Sequence, residues 1–367
     1  MNNNQSSEYL EILRHYAQCI KSTDRIATPD LHPILFGLFG EVGSIMAAIK
    51  KQRRESSAFI EYDRALLEEY GDVLWYLVTL CNRLSIDITE IFSKDTGKNN
   101  PTRQGSPSNS PSNVNELLLE LGRSASALFD VNNSNGQVRN LLCKFFHDYL
   151  QALQTSEIDF DKVVQHNTTK ISSRFLDYKL SDLPTFDEDF PADERIPNQF
   201  EINIIQRKSG KSYLQMNGVF IGDPLTDNSF DLDGYRFHDV FHLANAAILH
   251  WSPVFRGLIK QKRKSKPEID EIEDGGRASV IEEGLTAWIF SRAKKLDFFA
   301  EQKAISFDIL KTVQQFVLGY EVEKCPLKLW EDSILEGYKV FRKVRDNKGG
   351  IVIGDRETRT IKYKPNR

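Results

Sequence analysis

Two short acidic steps, each set inside a long apolar-periodic segment, constrain this chain more than any other feature. The first is Phe39-Gly40-Glu41-Val42-Gly43-Ser44-Ile45-Met46, and the second is Glu68-Glu69-Tyr70-Gly71-Asp72-Val73-Leu74-Trp75-Tyr76. The apolar spacing around both predicts helices. Glu69 and Asp72 are three residues apart and share one helix face, and Glu41 and Ser44 have the same relation. Carboxylates turned into an otherwise apolar bundle are costly unless something neutralises them. A hard divalent cation such as Mg²⁺, which takes carboxylate and phosphate oxygens, would remove that cost.

The remaining chain reads as further helices and two linkers. Residues 8–22 have helical apolar spacing, Asp24 to Pro33 is a loop, and the acidic helices are expected at 33–52 and 62–84. A short helix then ends near Lys98. Residues 99–113, NNPTRQGSPSNSPSN, have the composition of a linker. After it the pattern returns. Leu119-Glu120-Leu121-Gly122-Arg123-Ser124 echoes Gly40-Glu41-Val42-Gly43-Ser44-Ile45, and Ser156-Glu157-Ile158-Asp159-Phe160 echoes Leu84-Ser85-Ile86-Asp87-Ile88. This predicts a duplicated four-helix unit whose second copy lacks the acidic pair. A second linker is expected at 178–199. Hairpins are expected around 200–216 and 351–363, on either side of a helical block from 234 to 343.

GEVGSIMAAIKK followed by EEYGDVLWYLVTLCNRLSIDITEIF resembles the MazG-type all-α nucleotide pyrophosphohydrolases, whose pattern is ExxE on one helix and ExxD on the next. Ser44 stands where that pattern has its second Glu, and Glu68 is the nearest acid that could substitute for it. The resemblance implies that Glu41, Glu69 and Asp72 bind Mg²⁺ (or Mn²⁺), with Glu68 beside them, on a nucleoside triphosphate that is cleaved to a monophosphate and pyrophosphate. It also implies phosphate contacts from Asn167, Lys170 and Arg174 in HNTTKISSRF, matched in the first copy by Asp95, Lys98 and Arg103. Basic residues at a helix C-terminus are equally expected from the helix dipole. The third region is similar to a domain found after MazG-type modules in some phage and bacterial proteins, a likeness that supplies no mechanism.

The expected fold class is therefore mainly α: a duplicated four-helix MazG-like bundle forming a pseudo-dimer, plus a mainly helical α+β C-terminal domain with β-hairpins. The expected divisions are a metal-site bundle at 1–98, a linker at 99–113, a degenerate repeat at 114–177, a linker at 178–199, and an accessory domain at 200–367.

That last region holds a second constellation. His238 and His242 are i, i+4 on one helix, a good metal-ligand spacing, with Asp239 between them and Glu282 or Glu283 on a later helix as a further ligand. A buried hydrogen-bonded network would explain the same residues. Lys260–Lys266, five cations in seven residues, followed by the acids Glu268–Asp274, reads as a solvated, self-neutralising loop. Arg277 is the better candidate there for an anion contact.

Bulk properties exclude several classes. The net charge of −4 gives no basic signature for nucleic acid. The four cysteines form no CxxC pair and read as reduced thiols of a cytoplasmic protein. The polar N-terminus lacks the apolar core of a signal peptide, and no apolar run approaches the ~20 residues of a membrane span. The expected partner is a nucleoside triphosphate, with a homo-oligomer and neither membrane nor nucleic acid. Two alternatives to hydrolysis stay open. The bundle could sense nucleotide without turning it over and regulate a C-terminal effector, or the His238/His242 site could be the enzyme.

Overall fold

Helical periodicity dictates the first 176 residues. In the computed structural model, which describes residues 3–26, 28–96, 111–130 and 137–366, α1 (Asn3–Thr23) buries Leu13, Tyr16 and Ile20 on one stripe. Helix α2 (His32–Glu55) starts on Pro33, whose missing N–H falls where a first turn leaves its donors unbonded. It buries Ile34, Leu35, Leu38, Val42, Ile45, Ala48 and Ile49. Helix α3 (Tyr62–Arg83) packs on α2 through Leu66, Val73, Leu74 and Leu77. Then follow α4 (Ile88–Thr96), α5 (Pro111–Ala127), α6 (Val138–Thr155) and α7 (Phe160–Phe175), the last capped by Asp159, whose side chain accepts from the Asp161 N–H.

Helix α5 packs on α2 and α6, α4 packs on α6, and α7 packs on α3 and α1. Both halves thus contribute to a single core. Tyr70 and Tyr149 meet edge-on across it at 5.7 Å, and the Tyr149 hydroxyl donates to the Tyr70 carbonyl at 3.1 Å. By length and composition α2 is apolar enough to cross a bilayer, with a mean hydropathy of 1.4, contrary to the expectation from apolar runs alone. Its apolar face belongs to the bundle core, and it carries Glu41 near mid-length.

The second compact unit, residues 177–367, has its own core. Strands β1 (Gln199–Gln206), β2 (Ser212–Met216), β3 (Val219–Leu225), β4 (Gly349–Asp355) and β5 (Thr360–Lys364) form one antiparallel sheet in the order β3-β2-β1-β4-β5. The two expected hairpins join because β1 pairs with β4 across the whole helical block, with Ile202 opposite Val352. Phe200, Ile202 and Ile204 alternate into the core. Between the hairpins run α8 (Asp239–Ala244), continued by a π-helical stretch Asn245–Leu249, then α9 (Pro253–Ile259), α10 (Pro267–Ile272), α11 (Gly276–Ala293), α12 (Phe307–Val317) and α13 (Leu327–Asp346). Helix α13 packs against α8 and strands β4 and β5.

Two expectations fail here for one reason. Residues 178–199 are no linker, because Asp187 is buried and its two oxygens each accept from a buried arginine, Arg256 and Arg356, at 2.6 Å. The basic run is solvated only in part, with Lys260, Lys264 and Lys266 exposed. Arg263 is fully buried and bridges Asp274 (2.7 Å) and Glu321 (2.6 Å), while Glu273 accepts from the Glu321 N–H. Buried charges persist only when paired and hydrogen-bonded, and apart from Asp274, 11 residues from Arg263, the partners lie 48 to 169 residues apart, beyond the reach of local composition.

Candidate active site and histidine cluster

Helix α2 supplies Glu41 and Ser44 to the acidic site, α3 supplies Glu68, Glu69, Asp72 and Tyr76, and α7 supplies Asn167, Lys170 and Arg174. Two glycines let the helices approach. A Cβ at Gly37 would lie 2.2 Å from the Tyr76 ring, and one at Gly71 would lie 2.9 Å from Asn167 Nδ2. Tyr76 therefore lies over α2, and Asn167 reaches α3 beside Asp72.

Glu41, Glu69 and Asp72 each offer an oxygen, and these oxygens lie within 4.8 Å of one another. The Glu41 and Glu69 carboxyls face each other, and Ser44 beside Glu41 works to lower its pKa. Partial burial, then the neighbouring Glu41 charge, pushes the Glu69 carboxyl up to about 7. Burial, then Asp72, raises Glu41. Like charges held this close either share protons or need a cation. This spacing, the oxygen-only donors and the unfavourable charge all fit a hard divalent ion.

Lys170 Nζ lies 2.7 and 2.9 Å from the Asp72 oxygens and 3.0 Å from Glu68 Oε1. Burial alone would lower the Lys170 pKa, but Asp72 and Glu68 outweigh it and raise it. Asn167 is fully buried, donates to Asp72 Oδ1 at 3.1 Å and accepts from the Tyr16 hydroxyl at 2.7 Å. Arg174 is half-buried, and its charge acts on Tyr76 along with those of Glu41, Asp72 and Lys170.

The residues expected at this site thus fall into two tiers. Glu41, Glu69 and Asp72 converge. Glu68 Oε1 lies 3.0 Å from Lys170 Nζ, beside the three acids whose oxygens lie within 4.8 Å of one another. Asn167 and Lys170 touch Asp72 directly. Lys98 and Arg103 lie outside the described residues, as does most of the expected linker at 99–113. Two contributors escaped sequence reasoning: Tyr16, which anchors Asn167, and Tyr76. Tyr76 lay within the acidic motif, one turn beyond Asp72, so its spacing could have shown it. Nothing in the sequence around Tyr16 marks it.

In the second unit His238, Asp239 and His242 also offer ligand atoms within 4.8 Å of one another, and all three are buried. Helix α11 presents Glu282 and Glu283 to them in different roles. Glu283 Oε2 and Oε1 lie 3.4 Å from His238 Nε2 and His242 Nε2, and the side chain is 42% exposed. Glu282 is fully buried behind, and accepts from Asn245 Nδ2 (3.1 Å), Ser252 Oγ (2.9 Å) and the Val254 N–H (3.0 Å).

Residues 31–103 match the MazG nucleotide pyrophosphohydrolase domain, and residues 181–367 match the MazG C-terminal domain. The Gene 37 protein of Mycobacterium phage L5 is 31% identical over 67 residues, which are 18% of this chain and 59% of the phage protein. The likeness therefore spans less than two thirds of that relative's length. No solved structure matches the chain.

Proposed function

This chain belongs to the MazG C-terminal domain family and carries a MazG nucleotide pyrophosphohydrolase domain ahead of it, and from that premise we propose that the bundle hydrolyses nucleoside triphosphates to monophosphates and pyrophosphate. The observation that carries this reading is the convergence of Glu41, Glu69 and Asp72 from two helices, within reach of one cation. Mg²⁺, when bound there, would neutralise phosphate charge and acidify a coordinated water. Glu41, Glu69 and Asp72 would hold the ion as carboxylates, so Glu69, whose carboxyl is raised to about 7, would have to be deprotonated to bind it. Asn167, held by Tyr16, fixes the orientation of Asp72. Lys170 moves its ammonium from Asp72 to the phosphates, and Arg174 beside it offers a guanidinium fork to the same anion. Water attacks the α-phosphorus, a P–O bond forms, and the bond to the bridging oxygen breaks with pyrophosphate as leaving group.

The second half of the bundle acts in this reading as a built-in partner. Helix α7 of that half packs on α3, and α4 of the first half packs on α6, an exchange that a pseudo-dimer would make. Phe36, Phe39 and Phe129 gather in the open, which supports further self-association. Four free cysteines support a cytoplasmic location.

Ser44 and the seating of Lys170 on Asp72 favour a second reading, a bundle that binds nucleotide without turning it over. Incubating the full chain with a panel of ribo- and deoxyribonucleoside triphosphates and Mg²⁺ or Mn²⁺ separates the two. Monophosphate plus pyrophosphate, lost in Asp72→Ala, supports hydrolysis and identifies the base. Saturable binding without product supports the sensor.

A further inference from the structure

We propose that His238, Asp239, His242 and Glu283 form a site for a divalent transition-metal ion of the zinc class, with Glu282 as its positioning residue. The first ground is an unsatisfied histidine. His242 is fully buried, and neither ring nitrogen makes a hydrogen bond of adequate geometry, although carboxylate oxygens lie 3.1 and 3.4 Å away. Buried polar groups are almost always bonded, so such a ring needs an explanation.

The second ground is orientation. His238 Nδ1 lies 2.9 Å from the Tyr235 carbonyl oxygen, so Nδ1 carries the proton and donates. The lone pair is then on Nε2, which faces Glu283 Oε2. In the same way His242 has Nδ1 toward Glu282 and Nε2 toward Glu283. Both rings thus turn Nε2 to one carboxylate. Ligands bound at about 2.1 Å in a tetrahedron sit about 3.4 Å from one another. The two histidine–Glu283 separations, one to each oxygen of the carboxylate, have that length; it is long for a charge-assisted hydrogen bond.

The third ground is the surroundings. Glu282 has fixed donors from Asn245, Ser252 and Val254, which hold its carboxylate rigidly beside His242 Nδ1, 3.1 Å away. Carboxylate, histidine and metal in line is the usual way to orient a ligating imidazole. Three carboxyls face two imidazoles here, and a dication would offset two of their three negative charges. Two imidazoles with two carboxylates suit zinc, iron or cobalt better than magnesium or calcium. The exposed edge of Glu283 gives the ion a route from solvent.

Full-length protein would be stripped with chelator, reloaded with Co²⁺ or Zn²⁺, and read by metal content and by the visible ligand-field spectrum of cobalt. About one ion per chain is expected with histidine-type bands. His242→Ala and Glu283→Gln should lose the bands, and Glu282→Gln should keep them with affinity lowered roughly 10–100-fold. The bands should survive Asp72→Asn, so failure of the bundle's hydrolytic function would leave this site standing. Should His242→Ala fail to fold, half-exposed Glu283→Gln decides. Absence of stoichiometric cobalt, or a spectrum unchanged in Glu283→Gln and His238→Gln, would overturn the proposal.

Discussion

Lys170 Nζ lies 2.7 Å from Asp72 Oδ2, joining helix α7 of the second half to the acidic helix of the first. The sequence placed these residues in separate roles, a metal ligand and a phosphate contact. In the fold the ammonium sits on the carboxylate proposed to hold the metal ion, so in that reading nucleotide and cation would act on one balance of charge.

Replacing that ammonium should therefore have opposite effects on the two ligands. Lys170→Ala is expected to tighten Mg²⁺ binding in the absence of nucleotide, because Asp72 and Glu68 lose their competing cation. It should weaken nucleotide binding by about tenfold or more, on the order of 1.4 kcal/mol. Calorimetric titration of each ligand separately checks both directions. A parallel weakening of both would show that Lys170 only holds the helices together.

The Glu69 carboxyl, raised to about 7, sets a pH dependence. Its folded pKa lies above the ordinary glutamate value of about 4.3. The proton therefore favours the folded state below that value, and this contribution is lost as pH rises through 7. In chelator, the melting temperature of the bundle should fall between pH 5 and pH 8. With saturating Mg²⁺, which takes the deprotonated carboxylates, the fall should shrink or reverse. Identical profiles with and without the ion would contradict metal binding at Glu69.

Ser44→Glu would restore the fourth carboxylate of the family pattern. One more negative charge beside Glu41 should lower the melting temperature without metal and raise Mg²⁺ affinity, by roughly tenfold if the new oxygen reaches the ion. Thermal scans with and without Mg²⁺ read both effects. A variant less stable in both conditions would place residue 44 outside the coordination sphere.

In the second unit, Asp187→Ala would leave Arg256 and Arg356 without their shared carboxylate. Removing one partner of a buried ion pair typically costs about 3–5 kcal/mol, a loss of roughly 10 °C in melting temperature for a unit of this size. Differential scanning calorimetry should show it as a shift of one transition, with the bundle's transition unmoved. A true linker residue would change neither.

Much of this was readable in the order of residues. The acidic steps at 41 and 69–72, their helical phase and both hairpins follow from periodicities that act within a few turns of chain. Local rules of the same kind brought His238 and His242 onto one helix face. They failed at Asp187 and Arg263, whose composition looked solvated because their partners are distant.

By itself, the sequence determined which side chains share a helix face, because a 3.6-residue period places i, i+3 and i+4 together whatever surrounds them. Only the tertiary structure decided which faces meet. It set Lys170 between Asp72 and Glu68, turned Glu282 inward and Glu283 outward, and buried Arg263 among acids. Each of those outcomes depends on desolvation and on partners brought from far along the chain, and the cost of burying a charge is known only when its neighbours are in place.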